Sequence, residues 1–380
     1  MGVVGCQAVS TVSPSAFVPS HVARLDVYQP GKPIEELERE LGITGVIKVA
    51  SNENPLGSSP KALAVIPAAV SQLHRYPDAS GVVLRRALAA RFDCEPDQIG
   101  LGNGSNDLLY QIVLATCEPT DEVLSHEHAF MSYRLSAQVA CRPFVMAPAT
   151  PELACDPEAL IAAITPRTKL VVVGTPNNPT GSVITRAGLD RLLAALPARA
   201  LLVIDEAYVE FAAMWPEVDH ADGVALWRRD PRVIVLRTFS KIYGLAGLRV
   251  GYALANKVVI EMLGRVGRTF HVNSLAQIAA LAALDDTEHV TRSARHARHA
   301  IERYAAELAG PGVRIYPSLG NFVLIDCGRP STPIYEKLLK RGVIVRPMAG
   351  WGLPNHIRLS VARDEDMPRV IGAFNDVLAA

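Results

Sequence analysis

Residues 169–181 read Lys-Leu-Val-Val-Val-Gly-Thr-Pro-Asn-Asn-Pro-Thr-Gly. The first half is a continuous apolar run of strand length without in/out alternation. That is the pattern of a strand buried on both faces, as in a parallel sheet covered by helices. The second half is turn chemistry at that strand's C-terminal end. Open α/β sheets bind ligands there, although turn residues are also ordinary punctuation. Ala200–Ile204 and Val233–Leu236 repeat the apolar run, and Val250–Leu254 does so more weakly. Ala187–Leu196 has helical content. Upstream, Ser105–Thr116 sets Leu108, Leu109, Ile112 and Val113 on one helical stripe, with Ser105 placed as its cap. Alternating strands and helices predict an α/β fold with a mostly parallel sheet and right-handed crossovers.

After about residue 270 the pattern changes. A long Ala-rich helical stretch, residues 274–308, leads into strand-like runs at Val313–Tyr316, Phe322–Asp326, Val343–Val345 and Ile357–Val361. The last helix carries Val370, Ile371, Phe374, Val377 and Leu378 at helical spacing, with Asp364 placed to cap it. This predicts a smaller α+β domain. The chain has 380 residues, 49% of them hydrophobic, enough to bury a large core.

Lys+Arg and Asp+Glu both number 38, so nothing in the balance suggests a nucleic-acid partner. No apolar run reaches the ~18 residues of a membrane span. The first twenty residues have no basic stretch ahead of an apolar one, so they read as a loose arm, not a secretory signal. Six cysteines are scattered without CxxC spacing, which argues against a metal site or disulfide framework and for a reducing, cytoplasmic setting.

Three segments carry chemistry. In Thr238–Gly251 (TFSKIYGLAGLRVG), Lys241 follows a buried strand. Burial lowers an amine's pKa and readies it for Schiff-base chemistry. Arg249, among small residues, suits a phosphate. Each of the two, alone, is more often a solvated surface charge. Asp205-Glu-Ala-Tyr208 ends another strand, where an aspartate can pair with a protonated pyridine nitrogen or simply cap a helix. Leu101–Asp107 (LGNGSND) turns from strand into helix and exposes amides suited to a phosphate. It lacks the third glycine of a dinucleotide fingerprint.

These segments stand in one order: Ser51–Gly57 (SNENPLG), Arg75–Asp78 (RYPD), Gly102–Asp107, Asn177–Gly181 (NNPTG), Asp205–Tyr208 (DEAY) and Ser240–Gly251. Together they closely resemble the fold-type I pyridoxal-phosphate aminotransferases, and among those the histidinol-phosphate aminotransferase family, over roughly residues 25–380. The resemblance implies a large cofactor-binding domain at 51–270, a small α+β domain at 271–380, and an arm plus part of the small domain at 1–50. It also implies pyridoxal 5'-phosphate as cofactor, a small-molecule amino donor and a 2-oxo acid as substrates, and a homodimer with shared active sites.

By the same resemblance Lys241 holds the cofactor as a Schiff base and shuttles the proton. Asp205 would pair with the ring nitrogen, and Asn178 and Tyr208 with the ring oxygen. Gly104, Ser105, Ser240 and Arg249 would hold the phosphate with Asn106 beside them, and Phe130 would stack on the ring. Tyr76 would reach the neighbouring subunit's phosphate. Arg358 would take the substrate's anionic end, with Tyr28 and Arg346 as further substrate-side residues. Two positions depart from the family pattern: Gly320 stands where Thr is usual, and Trp351 where Tyr is common. The expected reaction is histidinol phosphate plus 2-oxoglutarate to imidazole acetol phosphate plus glutamate. Alternatives are an aromatic amino-acid aminotransferase, a pyridoxal-phosphate decarboxylase of a phosphorylated amino acid, a non-catalytic binding module, or an NAD-dependent oxidoreductase.

Overall fold

Alternate residues of the central strands feed two different hydrophobic cores, which is why those strands show no polar face. The computed structural model describes residues 17–25, 31–308, 310 and 312–379. Its largest sheet comprises β1 (Ile99–Gly102), β2 (Glu122–His126), β3 (Phe144–Ala147), β4 (Thr168–Gly174), β5 (Leu201–Asp205), β6 (Val233–Thr238) and β7 (Gly251–Leu254). Val171 and Val173 of β4 enter one core, Leu170 and Val172 the other; Ile204 and Val203 of β5 divide likewise, as do Val235 and Ile234 of β6. Helix α1 (Ser105–Thr116) covers one face with Leu108, Leu109, Ile112 and Val113. Helix α2 (Arg186–Ala195) covers the other with Leu189, Leu192 and Leu193. Each such side chain contributes roughly 1.5–3 kcal/mol on burial.

The strands lie in the order β1-β7-β6-β5-β4-β2-β3, and β7 alone is antiparallel to its neighbours. A second sheet is antiparallel throughout. It comprises β8 (Arg314–Tyr316), β9 (Phe322–Asp326), β10 (Arg346–Pro347) and β11 (His356–Ser360), in the order β10-β11-β9-β8. The run expected as one strand at Val343–Val345 is split. Val343–Ile344 pairs in parallel with Ile47–Lys48, and β10 then turns into the second sheet.

Other expectations are also corrected. The helical stretch at 274–308 is two helices, α3 (Ser274–Leu284) and α4 (Thr287–Glu307). Asp286 breaks it, because its carboxylate caps α4 at His289 N and also accepts from Ser59 Oγ. Ser105 is not the cap of α1: the cap is Gly104, whose positive φ of 81° turns the chain sharply out of β1. Asp364 faces His296 Nδ1 at 3.5 Å instead of capping α5 (Met367–Ala379), because an Arg363–Asp366 turn precedes that helix.

Ile234 is fully buried between the sheet and α1's side of the core. Ile234→Ala is expected to cost about 2–5 kcal/mol, read as a lower chemical-denaturation midpoint; an unchanged midpoint would contradict the two-face core.

Candidate active site

The C-terminal ends of β1, β5 and β6 open into one cavity, roofed by the loop before β11 and by β11 itself. From the β1–α1 turn come Ser105 and Asn106, and Phe130 comes from the segment after β2. The loop beyond β4 supplies Asn178, and the end of β5 supplies Asp205 and Tyr208. Beyond β6 follow Ser240, Lys241 and Arg249, while Arg358 enters from β11. Residues from Ser105 to Arg249 meet because the parallel strands deliver their carboxyl ends to one edge, and the second sheet brings Arg358 over them.

A cluster of donors at one end of the cavity is shaped by absent side chains. A Cβ on Gly104 would lie 2.5 Å from Arg249 Nη2, and one on Gly251 would lie 2.4 Å from Ser105 N. Arg249 itself holds a positive φ of 57°, a conformation costing an L-residue roughly 1–2 kcal/mol. Its Nη1 donates to Ser240 Oγ at 3.3 Å and to Ala246 O at 3.2 Å. A helix N-terminus, a hydroxyl and a guanidinium together form a donor set for a dianion.

Asp205 accepts from Tyr133 Oη at 3.1 Å and from Ala207 N at 3.1 Å. Burial pushes its carboxyl up to about 6, with the two donors opposing. Gly174 makes room for Tyr133: a Cβ there would sit 2.8 Å from its hydroxyl. Lys241 Nζ donates to Ser51 O at 3.1 Å. Burial lowers its ammonium to about 8, and the positive charge of Arg358 adds to the effect. Arg358 donates to Asn178 Oδ1 at 2.6 Å and to Ala50 O at 2.5 Å.

The remaining expected residues lie elsewhere. Arg346 is directly opposite Arg358 in the β10–β11 register, its guanidinium 5.4 Å from the Trp351 ring, and Trp351 lines the cavity. Tyr76 is 82% exposed and stacks on Phe270 at 4.7 Å, away from this cavity. Tyr28 lies outside the described residues. Sequence reading assigned no role to Tyr133, Gly31 or Asn52, which also line the cavity. Asn52 stands inside the Ser51–Gly57 motif, but nothing local says which neighbours its amide or the Tyr133 hydroxyl reaches.

The model of the family "Aminotransferase class I and II" matches residues 44–374. The chain is 42% identical over 357 residues to histidinol-phosphate aminotransferase 2 of Pasteurella multocida, covering 94% of this chain and 97% of that one. It is 44% identical over 365 residues to histidinol-phosphate aminotransferase of Anaeromyxobacter sp. (strain Fw109-5), covering 96% and 100%. The chain belongs to the histidinol-phosphate branch of the class I and II aminotransferases. Its fold matches the crystal structure of histidinol-phosphate aminotransferase from Sinorhizobium meliloti in complex with pyridoxal-5'-phosphate. The TM-score is 0.84 at 29% identity, covering 98% of both chains. Thermus thermophilus aspartate aminotransferase with maleate matches at TM-score 0.81 and 25% identity, covering 95% and 99%. The fold is therefore the fold-type I aminotransferase fold expected from the motifs.

An aminotransferase that buries a lysine should show it in the cofactor-free stability. The folded pKa of about 8 lies below the ordinary 10.5, so between these values the unfolded chain binds more protons. Lys241's contribution is thus unfavourable below about pH 8 and fades as pH rises toward 10.5. Lys241→Met should stabilise the cofactor-free protein at pH 7 by roughly 1–3 kcal/mol, with the gain shrinking above pH 8 in denaturant titrations. A pH-independent difference would show that the amine is not desolvated.

Proposed function

We propose that this aminotransferase uses pyridoxal 5'-phosphate to exchange the amino group of histidinol phosphate with 2-oxoglutarate, giving imidazole acetol phosphate and glutamate. One observation carries the reading. A buried amine, a buried carboxylate and a dianion cradle share one cavity, in a chain over 40% identical to histidinol-phosphate aminotransferases along nearly its whole length.

The residues fit the cofactor. When bound, it would supply an aldehyde that captures the amino group and a ring that accepts the electron pair left at Cα. The Ser105 amide, Ser240 and Arg249 would hold its phosphate, with Gly104 leaving the room they need and Asn106 beside them. Asp205 would keep the ring nitrogen protonated, its carboxylate held by the Tyr133 hydroxyl. Asn178 and Tyr208 would bond the ring oxygen, and Phe130 would cover a ring face. Lys241 would hold the cofactor at its carbonyl carbon and carry the proton removed from the substrate Cα. An amine near pKa 8 is partly neutral at working pH and able to do so. Arg358 orients the substrate's anionic group, with Arg346 beside it on β10 and Tyr28 a further candidate. An anion on Arg358 offsets the positive charge that depresses Lys241, making the lysine a better proton acceptor.

Residues 51–270 would form the cofactor-binding domain, and 271–380 with part of 1–50 the smaller one. The enzyme would work as a homodimer, since Tyr76 is exposed outside its own cavity and free to serve a neighbour's. A cytoplasmic setting agrees with the free thiols at Cys94, Cys117, Cys141, Cys155 and Cys327. Among the described residues no helix is long and apolar enough to cross a membrane.

The deciding experiment is a single-turnover donor screen on protein loaded with pyridoxal phosphate, following its visible band. Histidinol phosphate and glutamate should convert it quickly, and phenylalanine, tyrosine and threonine phosphate slowly; fast conversion by phenylalanine or tyrosine would move the enzyme to the aromatic reading. Arg358→Ala should lower kcat/KM for both favoured donors by roughly a hundredfold, the worth of a paired charged hydrogen bond. Mixing inactive Lys241→Ala and Tyr76→Ala proteins should restore part of the activity in hybrid dimers. No recovery despite demonstrated subunit exchange would exclude a shared site.

A further inference from the structure

A tyrosine hydroxyl has one proton and two lone pairs, so its role depends on which way the proton points. At Tyr208 a neighbouring residue governs that choice. Asn52 is 1% exposed, its backbone at φ 53°, and its Nδ2 donates to Tyr208 Oη at 3.0 Å. The amide itself is held in one orientation. Ser360 Oγ accepts from Asn52 N at 2.8 Å and donates its single proton to Asn52 Oδ1 at 2.7 Å. Asn321 Nδ2 donates to Asn52 O at 3.1 Å and fixes the backbone. With its oxygen taken by Ser360, the amide presents only N–H to Tyr208. A lone pair of the phenol is thereby used, and its proton must point away from Asn52. Tyr208 lines the cavity, 4% exposed.

We propose that Asn52 is a positioning residue which, with its orientation set by Ser360, turns the Tyr208 hydroxyl proton into the cavity toward the oxygen of the cofactor ring. This rests on the cofactor reading above. Hydrogen bonds run in one direction, from Ser360 to Asn52 to Tyr208 to the ring oxygen. Ser360 lies two residues beyond Arg358 on β11, so the strand that presents the anion-binding guanidinium also sets the polarity of the phenol. A role confined to tying residues 50–54 to the second sheet would leave the phenol's direction untouched.

The test reverses the polarity with little change of shape. Asn52→Asp replaces the N–H donor by an acceptor, which claims the Tyr208 proton and withdraws it from the cavity. The readout is the pH midpoint of the visible band of bound pyridoxal phosphate, without substrate. A donor to the ring oxygen stabilises its anionic form and keeps the midpoint low. Asn52→Asp should raise it by about one to two pH units, the worth of a hydrogen bond to a charged group. Part of any shift is the carboxylate's own charge, so the same change is made in a Tyr208→Phe background, where the shift should fall to less than half. Equal shifts in both backgrounds, or none with Tyr208 present, would overturn the proposal. Ser360→Ala, which frees the amide to turn over, should move the midpoint the same way by less. It decides the matter if Asn52→Asp does not fold, and an unmoved midpoint then counts against the relay. If the unaltered protein shows no band with pyridoxal phosphate, the cofactor reading fails, and the relay with it.

Discussion

Strand β7 runs against the other six of its sheet, and its first residue has no room for a side chain. Gly251 pairs with Gly102 on one side and Thr238 on the other, and a Cβ there would press on the backbone of Gly104 and Ser105. The reversal puts the start of β7, not its end, at the edge where the parallel strands finish. Arg249, two residues earlier, therefore reaches the N-terminus of α1. This corner of the cavity is thus a backbone-on-backbone contact with one guanidinium laid over it. A methyl group at Gly104 or Gly251 would push its parts out of register.

Around that corner burial acts on both signs of charge. It raises the Asp205 carboxyl to about 6 and lowers the Lys241 ammonium to about 8. Both shifts move the groups toward neutrality, because a low-dielectric cavity disfavours either ion. Local partners compensate incompletely: a phenol and an amide for Asp205, a peptide carbonyl for Lys241. A ligand that brings a cationic ring nitrogen to the first and a carbonyl carbon to the second relieves both costs together. Groups with pKa values displaced in this way cluster at functional sites.

An irregular stretch, residues 50–54, joins this chemistry to the second sheet. Ala50 O accepts from Arg358, Ser51 O accepts from Lys241, Asn52 bridges Tyr208 and Ser360, and Asn54 Nδ2 donates to Ile242 O. Buried loop backbone must find partners for its polar groups, and here those partners are the reactive side chains and their immediate neighbours. Movement of the second sheet relative to the first would consequently be felt at Lys241 and Tyr208.

Local composition was enough for the strands and for the side chains with conspicuous chemistry. Leu170–Val173 had to be buried on both faces because no polar residue interrupts it. Lys241, Asp205 and Arg249 stood out because charged groups follow apolar strands there. Asp286 shows the limit: within a helical Ala-rich pattern its carboxylate caps a new helix at His289 N, and its second bond is to Ser59, 227 positions away. The end of the strand at Ile344 has the same origin, since Val343 pairs with the remote Ile47 while Pro347, four residues on, pairs with Ile357 in the second sheet. The reversed direction of β7, the hold of Tyr133 on Asp205, and the orientation of Asn52 by Ser360 are likewise invisible in any local pattern. The sequence alone determined which segments are apolar enough to be buried and which groups are reactive enough to matter. Only the tertiary structure decided which way each hydrogen bond runs and which charges share a cavity, because those are settled by partners that the chain brings together from hundreds of residues apart.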